Sequence, residues 1–119
     1  ALAVAIGTAN GLYPKGKKPA LRTDLIQKIT AVTGVPLVLH GGSDNPNGEI
    51  REAVSLGVCK VNISSDIKAA FYRKCREVLT DPALREPNAI YPPCIEAAKQ
   101  VVRQKLCLFN ALGAAKFYR

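Results

Sequence analysis

The single histidine of the chain, His40, ends an apolar run and is followed at once by Gly41-Gly42-Ser43. An imidazole can ligate a metal, move a proton or serve as a hydrogen-bonded structural group. The two glycines add a different capability. They carry no Cβ to hold a ligand off the backbone, so N–H groups and the Ser43 hydroxyl can come close to an anion. Further along, Asn62-Ile63-Ser64-Ser65 offers an amide and two hydroxyls just ahead of a helical pattern, whose N-terminus favours negative charge. Either stretch alone reads as an ordinary turn, because Gly, Ser and Asn belong in turns. Their coincidence at the ends of neighbouring apolar runs points to a phosphate site. A catalytic metal needs about three protein ligands, and one histidine cannot supply them.

The elements that must position these residues follow one plan three times over. Leu2 to Gly7 is a continuous apolar run, followed by a polar loop and by Thr23 to Val32, where Leu25, Ile26, Ile29 and Val32 recur at helical spacing. Thr23 is the expected N-cap and Gly34 the stop. Val35 to His40 is the second run, with Pro36 near its start, where a strand tolerates it. The loop through Pro46 leads to a short amphipathic helix from Glu49 to Leu56, ended by Gly57. Val58 to Ile63 is the third run. A longer helix, capped by Ser65 or Asp66, runs to about Leu79 with Ile67, Ala70, Phe71 and Val78 on its inner face. Asp81 to Pro93, with Pro82, Pro87, Pro92 and Pro93, is expected to be a loop, and helical spacing returns from Cys94 to Leu108. Gly113 is expected to interrupt the tail.

Strands apolar throughout are buried on both faces, as in parallel sheets, and alternation with helices gives right-handed βαβ units. Three units suit part of a doubly wound sheet or part of a (β/α)8 barrel equally well. In both, ligands bind at the C-terminal ends of strands. That places Gly7 to Leu12, His40 to Asp44 and Asn62 to Asp66 at one end of the sheet.

Composition narrows the classes. An apolar fraction of 48% excludes a disordered chain. No apolar run approaches the roughly 20 residues of a membrane span. The formal charge of +8 raises nucleic acid as a partner. However, the basic residues form no single stripe: Lys15, Lys17 and Lys18 cluster in a loop, Arg73, Lys74 and Arg76 on a helix, and no nucleic-acid motif accompanies them. Cys59, Cys75, Cys94 and Cys107 form no close C-x-x-C pair, so they are expected to be small buried residues in a reducing, cytoplasmic compartment. At 119 residues the chain is short of the roughly 250 of a complete barrel. We therefore expect residues 1–119 to be the C-terminal portion of a single domain whose N-terminal half is absent.

Three segments resemble signatures of the class II, metal-dependent ketose-bisphosphate aldolases: Leu2 to Tyr13, Val35 to Asp44 and Lys60 to Asp66. They stand in the family's order, and the likeness is strongest to the branch acting on tagatose or fructose bisphosphate. The resemblance implies a partial TIM (β/α)8 barrel, comprising its last three strand–helix units and C-terminal helices. It implies cleavage of a ketose 1,6-bisphosphate to dihydroxyacetone phosphate and glyceraldehyde 3-phosphate, with Zn2+ as Lewis acid. By position, His40 matches a metal-binding histidine and Gly11 a substrate-contacting glycine. Gly41, Gly42 and Ser43 match one side of the phosphate cradle; Asn62, Ile63, Ser64 and Ser65 match the other side and the contact to the enediolate. One position departs from the motif: Asn10 stands where the family carries a second metal-binding histidine, and an amide oxygen is the poorer zinc ligand. The family's acid–base aspartate and a further histidine have no counterpart in these residues. The resemblance further implies a sugar-phosphate partner, no nucleic acid or membrane, and a dimer or tetramer of intact protein. A catalytically inactive phosphate-ester-binding protein is the competing reading.

Overall fold

The computed structural model describes residues 1–8 and 20–118. These fall into two compact units, Ala1–Ser65 and Asp66–Arg119.

The first unit is built on a three-stranded parallel sheet in the order β1 (Leu2–Ala3), β2 (Leu37–Leu39), β3 (Val58–Val61). Between the strands lie α1 (Thr23–Val32) and α2 (Asn47–Ser55), and α2 packs against both α1 and β3. β2 is paired on both edges, and its three residues are all buried. That matches the burial expected of an apolar run in a parallel sheet. β1 and β3 do not match it. Leu2 is 44% exposed, and Cys59 and Lys60 are exposed. Each of these strands pairs on one side only among the described residues. A register shift opposite Leu37 and Val38 also pairs them with Val58 and Lys60, so Cys59 is the extra, bulged residue. The ladders are shorter than the apolar runs that predict them, because periodicity registers apolarity and not pairing.

The helices of this unit start where local chemistry allows. Thr23 is the first helical residue and not the cap. The cap is Arg22, which makes no side-chain capping bond; its N–H donates to Ile6 O at 3.0 Å and its guanidinium holds Asp24 in the first turn. Ile26 is fully buried, whereas Val32, on the same sequence stripe, is 85% exposed at the last residue of the helix. α2 begins two residues earlier than the apolar spacing predicts. Its Glu49 carboxylate accepts the Leu21 N–H at 2.8 Å, tying the chain entering α1 to the first turn of α2.

In the second unit α3 (Ser65–Val78, its first residue in the first unit) is followed by α4 (Pro87–Leu108) and a 310 helix (Ala114–Tyr118). Ser65 and Asp66 are the first helical residues of α3, so neither is its cap. Ala70 is buried while Ile67, Phe71 and Val78 are half-buried, as the inner face requires. The expected loop through Pro93 is overturned: α4 starts at Pro87, with Pro92 and Pro93 inside it. Pro87 occupies the first turn, where its missing N–H costs nothing. Pro92 and Pro93 fall in the second turn, and each leaves one carbonyl near the helix start without its intrahelical donor. α3 and α4 meet through the Phe71 and Tyr91 rings, 6.3 Å apart, and through an ion pair from Lys105 to Asp66 at 2.6 Å.

The cysteine reading is half right. Cys94 is fully buried and Cys75 half-buried, but Cys59 and Cys107 are exposed. Spacing excludes a paired motif and says nothing about which face of a strand or helix a thiol occupies.

Candidate functional site

The C-terminal ends of β2 and β3 carry the two turns that the sequence singles out, and the structure brings them together. The ladder continues past both strands: Asn62 N–H donates to Leu39 O at 3.0 Å, and Gly42 N–H donates to Asn62 O at 3.2 Å. Farther out, Ser64 N–H reaches Ser43 Oγ at 3.4 Å. Gly42 and Ser43 are buried. A Cβ on Gly42 would stand 2.5 Å from Val61 Cγ1, 2.9 Å from Ile63 Cδ1 and 3.1 Å from Asn62 O. Glycine is therefore required there by the neighbouring strand end. Gly41 has φ 63°, a left-handed conformation that glycine adopts without steric cost. Asp44, at φ 60°, repeats it. The turn is closed from beneath by Asn45, whose amide nitrogen donates to Gly41 O at 2.5 Å and Ser43 O at 3.0 Å.

His40 stands at the mouth of this arrangement with an exposed side chain. Its carbonyl accepts the Thr8 hydroxyl at 2.8 Å, so the end of the β1 segment is pinned to the end of β2. The imidazole Nδ1 lies 2.9 Å from Asn62 Nδ2, with Nε2 at 3.4 Å. The Asn62 Oδ1 accepts from Lys60 Nζ at 2.5 Å. His40, Gly41, Gly42, Ser43, Asn62 and Ser64 thus form one connected cluster. Ser65 opens α3 directly beyond it, and Ile63 sits beside Gly42. Asn10 and Gly11 lie outside the described residues.

Of the expected metal ligands, the described residues include His40. His40 presents an exposed imidazole at a strand end, and no group of three or more His, Cys, Asp or Glu side chains occurs among the described residues. Among them, too, no helix is long and apolar enough to cross a membrane.

Thr8 falls in the Gly7 to Leu12 segment expected at this end of the sheet, although its bond to His40 was not anticipated; Asn45 and Lys60 belong to the cluster but were not singled out as site residues from sequence. Thr8 and Asn45 act through backbone carbonyls, which no residue pattern displays. Lys60 carried a usable signal: a charged residue inside an otherwise apolar strand run, two positions before Asn62 and so on the same side of the strand.

Three parallel strands alternating with helices, with small polar turns gathered at the carboxyl ends of β2 and β3, define an α/β fold of the kind that makes up part of a (β/α)8 barrel. Residues 1–114 match the sequence profile of the family described as Fructose-bisphosphate aldolase class-II, and the chain belongs to that family. It is 43% identical over 113 residues to the D-tagatose-1,6-bisphosphate aldolase subunit GatY of Klebsiella oxytoca, covering 94% of this chain and 39% of that protein. Against the fructose-bisphosphate aldolase of Geobacillus stearothermophilus it is 40% identical over 115 residues, covering 96% and 39%. Among solved structures, the YdjI aldolase of Escherichia coli superposes with a TM-score of 0.80 at 29% identity, over 95% of this chain and 40% of that one. The Campylobacter jejuni fructose-bisphosphate aldolase, at 22% identity and a TM-score of 0.71, over 92% of this chain and 38% of that one, shares the fold. The chain spans about 39% of the length of the curated relatives it matches.

Proposed function

We propose that this chain supplies the phosphate-holding end of a class II aldolase active site, in a protein that cleaves and condenses a ketose 1,6-bisphosphate of the tagatose or fructose type. The observation that carries the reading is the direct bonding between the Gly41–Ser43 and Asn62–Ser64 turns at adjacent strand ends. Two turns held together in this way can face one phosphoryl group. Gly41, Gly42 and Ser43 form one wall, and Asn62, Ile63, Ser64 and Ser65 the other, with Gly11 contacting the substrate. Asn62 presents an amide N–H to the developing enediolate oxygen, and such a donor stabilises charge where it forms. His40 holds a divalent metal, zinc by the family pattern, which when bound polarises the ketose carbonyl as a Lewis acid.

Residues 1–119 then act as the C-terminal part of one barrel domain. The proton-transferring aspartate and the remaining metal ligands come from the rest of the intact protein, a cytoplasmic dimer or tetramer. By itself the 119-residue chain is expected to be inactive.

Asn10 favours a second reading, a pseudoenzyme that binds phosphate esters without turnover. One experiment separates the two. The intact protein, with and without Asn10→His, is assayed for zinc content, for binding of dihydroxyacetone phosphate and for release of glyceraldehyde 3-phosphate from tagatose and fructose 1,6-bisphosphates. Turnover by the unsubstituted protein supports the enzyme. Binding without turnover, with activity gained on Asn10→His, supports the second reading. Failure to bind dihydroxyacetone phosphate at all defeats both.

A further inference from the structure

We propose that Asn45 is a positioning residue: its side-chain amide fixes the peptide planes of the Gly41–Asp44 turn, and so makes the Asp44 N–H the turn's donor to an anion. Asn45 is only 7% exposed. Its amide meets two carbonyls, Gly41 O at 2.5 Å and Ser43 O at 3.0 Å. A carbonyl oxygen only accepts, so the end of the amide that faces both must be the NH2 group. The other end, Oδ1, is buried with no partner among the described residues. The two carbonyls alone therefore set the way the amide points. A buried polar atom left unpaired is costly, and here the two anchored carbonyls offset that cost.

The peptides of the turn are trans, and in a trans peptide the N–H points opposite to the C=O. With Ser43 O drawn toward the buried amide, the Asp44 N–H points to the other side of the turn, and Asp44 is exposed. Gly41 O is drawn toward Asn45 as well, and the Gly42 N–H of that peptide goes to Asn62 O at 3.2 Å. One N–H thus braces the neighbouring turn, and the other is left for a ligand. Among the described residues the Asp44 N–H has no acceptor. Removing the Asn45 NH2 group leaves both carbonyls buried and unpaired. The Ser43–Asp44 peptide then gains by turning its carbonyl out to water, and an oxygen faces the anion in place of a donor. That this anion is a phosphoryl group rests on the proposed function. The Asp44 carboxylate hangs beside the same N–H, and its charge opposes an incoming phosphate. Asp44→Asn removes the charge while keeping a residue type that tolerates the left-handed φ of 60°.

Crystal structures of the intact protein and of its Asn45→Leu variant, each with and without inorganic phosphate, read the peptide plane directly. Calorimetric titration with inorganic phosphate reads the affinity. In the unsubstituted protein a phosphate oxygen is expected within hydrogen-bonding distance of Asp44 N. Asn45→Leu should turn the Ser43–Asp44 peptide over and weaken phosphate at least about ten-fold, the worth of one hydrogen bond to a charged group. A lower thermal midpoint with the peptide plane and the affinity unchanged would leave Asn45 a merely structural role and overturn the proposal. Asp44→Asn should tighten phosphate about three- to ten-fold, as expected for removing one nearby charge in water. An unchanged or weaker affinity in that variant overturns the donor assignment even if Asn45→Leu fails to fold. Phosphate bound between the two turns but away from Asp44 N overturns the proposal and leaves the proposed cradle standing. An unsubstituted protein that binds no phosphate overturns the donor role together with the cradle.

Discussion

Replacing Gly42 by alanine tests the packing on which the site depends. The added methyl would stand 2.5 Å from Val61 Cγ1 and 2.9 Å from Ile63 Cδ1. Those two side chains can move, at the usual overpacking penalty of about 1–3 kcal/mol. The third neighbour is less forgiving. Asn62 O, 3.1 Å from the new Cβ, is backbone, and it also accepts the Gly42 N–H at 3.2 Å. Retreating from the methyl stretches that hydrogen bond, whose net worth is about 1 kcal/mol. The expected loss of stability is therefore about 2–4 kcal/mol, from the overpacking and the lost bond together. Gly48 is the control: it lies in α2, and nothing stands within 4 Å of its Cβ position. Gly48→Ala should stabilise by about 0.4–1 kcal/mol, through loss of backbone freedom in the unfolded chain. Pulse proteolysis across a urea gradient measures both at low protein concentration. A Gly42→Ala midpoint equal to or above that of the unsubstituted chain would refute the packing argument, as would shifts of the same sign in the two variants.

Three further outcomes are expected. The hydrogen-bonded Arg22 guanidinium lowers the Asp24 carboxyl to about 2. A depressed carboxyl pKa adds stability above its unfolded value, lost as pH falls from about 4 toward the folded value; Arg22→Gln should raise the Asp24 titration midpoint read by carboxyl NMR, and an unmoved midpoint refutes the pairing. Burial pushes the Cys94 thiol up, whereas Cys59 and Cys107 are exposed; mass-mapped iodoacetamide labelling should modify the latter two first, and early labelling of Cys94 in folded protein contradicts its burial. The Lys105–Asp66 pair is only 17% and 22% exposed, so Lys105→Ala should destabilise by about 1.5–3 kcal/mol, the range for charged hydrogen bonds; a change below about 0.5 kcal/mol, as at an exposed pair, would show that it does not hold α4 to α3.

The positions of α1, α3 and the two turns after β2 and β3 were legible because each rests on a local rule: helical spacing of Leu25, Ile26 and Ile29, or small residues at the end of an apolar run. The start of α4 was not, because a proline-rich stretch scores as loop although Pro87 sits where a helix accepts it. The exposure of Cys59 was hidden for a different reason. It depends on a bulge against β2, a property of pairing between strands distant in sequence. In the candidate site, His40, Gly42, Ser43 and Asn62 announced themselves by residue type. The contacts that aim them did not, since Thr8 and Asn45 bond to carbonyls and Lys60 acts on another side chain.

These contacts also divide the labour within the proposed cradle. Gly42 N–H is spent on Asn62 O, and Asn62 N–H on Leu39 O, so the sheet ladder runs on into both turns and gives them strand-like rigidity. Gly42 therefore serves the cradle by permitting close approach and not by donating to the anion. The Ser64 N–H bond to Ser43 Oγ, at 3.4 Å, is longer than the two backbone bonds beneath it and lies beyond the usual 2.7–3.2 Å range. It is the contact that a phosphate oxygen can replace at least cost, taking the Ser64 N–H as a charge-assisted donor while the shorter bonds beneath stay in place. In the proposed cradle, rigidity and exchangeability are thus separated by depth: the bonds nearest the strands hold the geometry, and the one farthest out is the one a bound phosphate would replace.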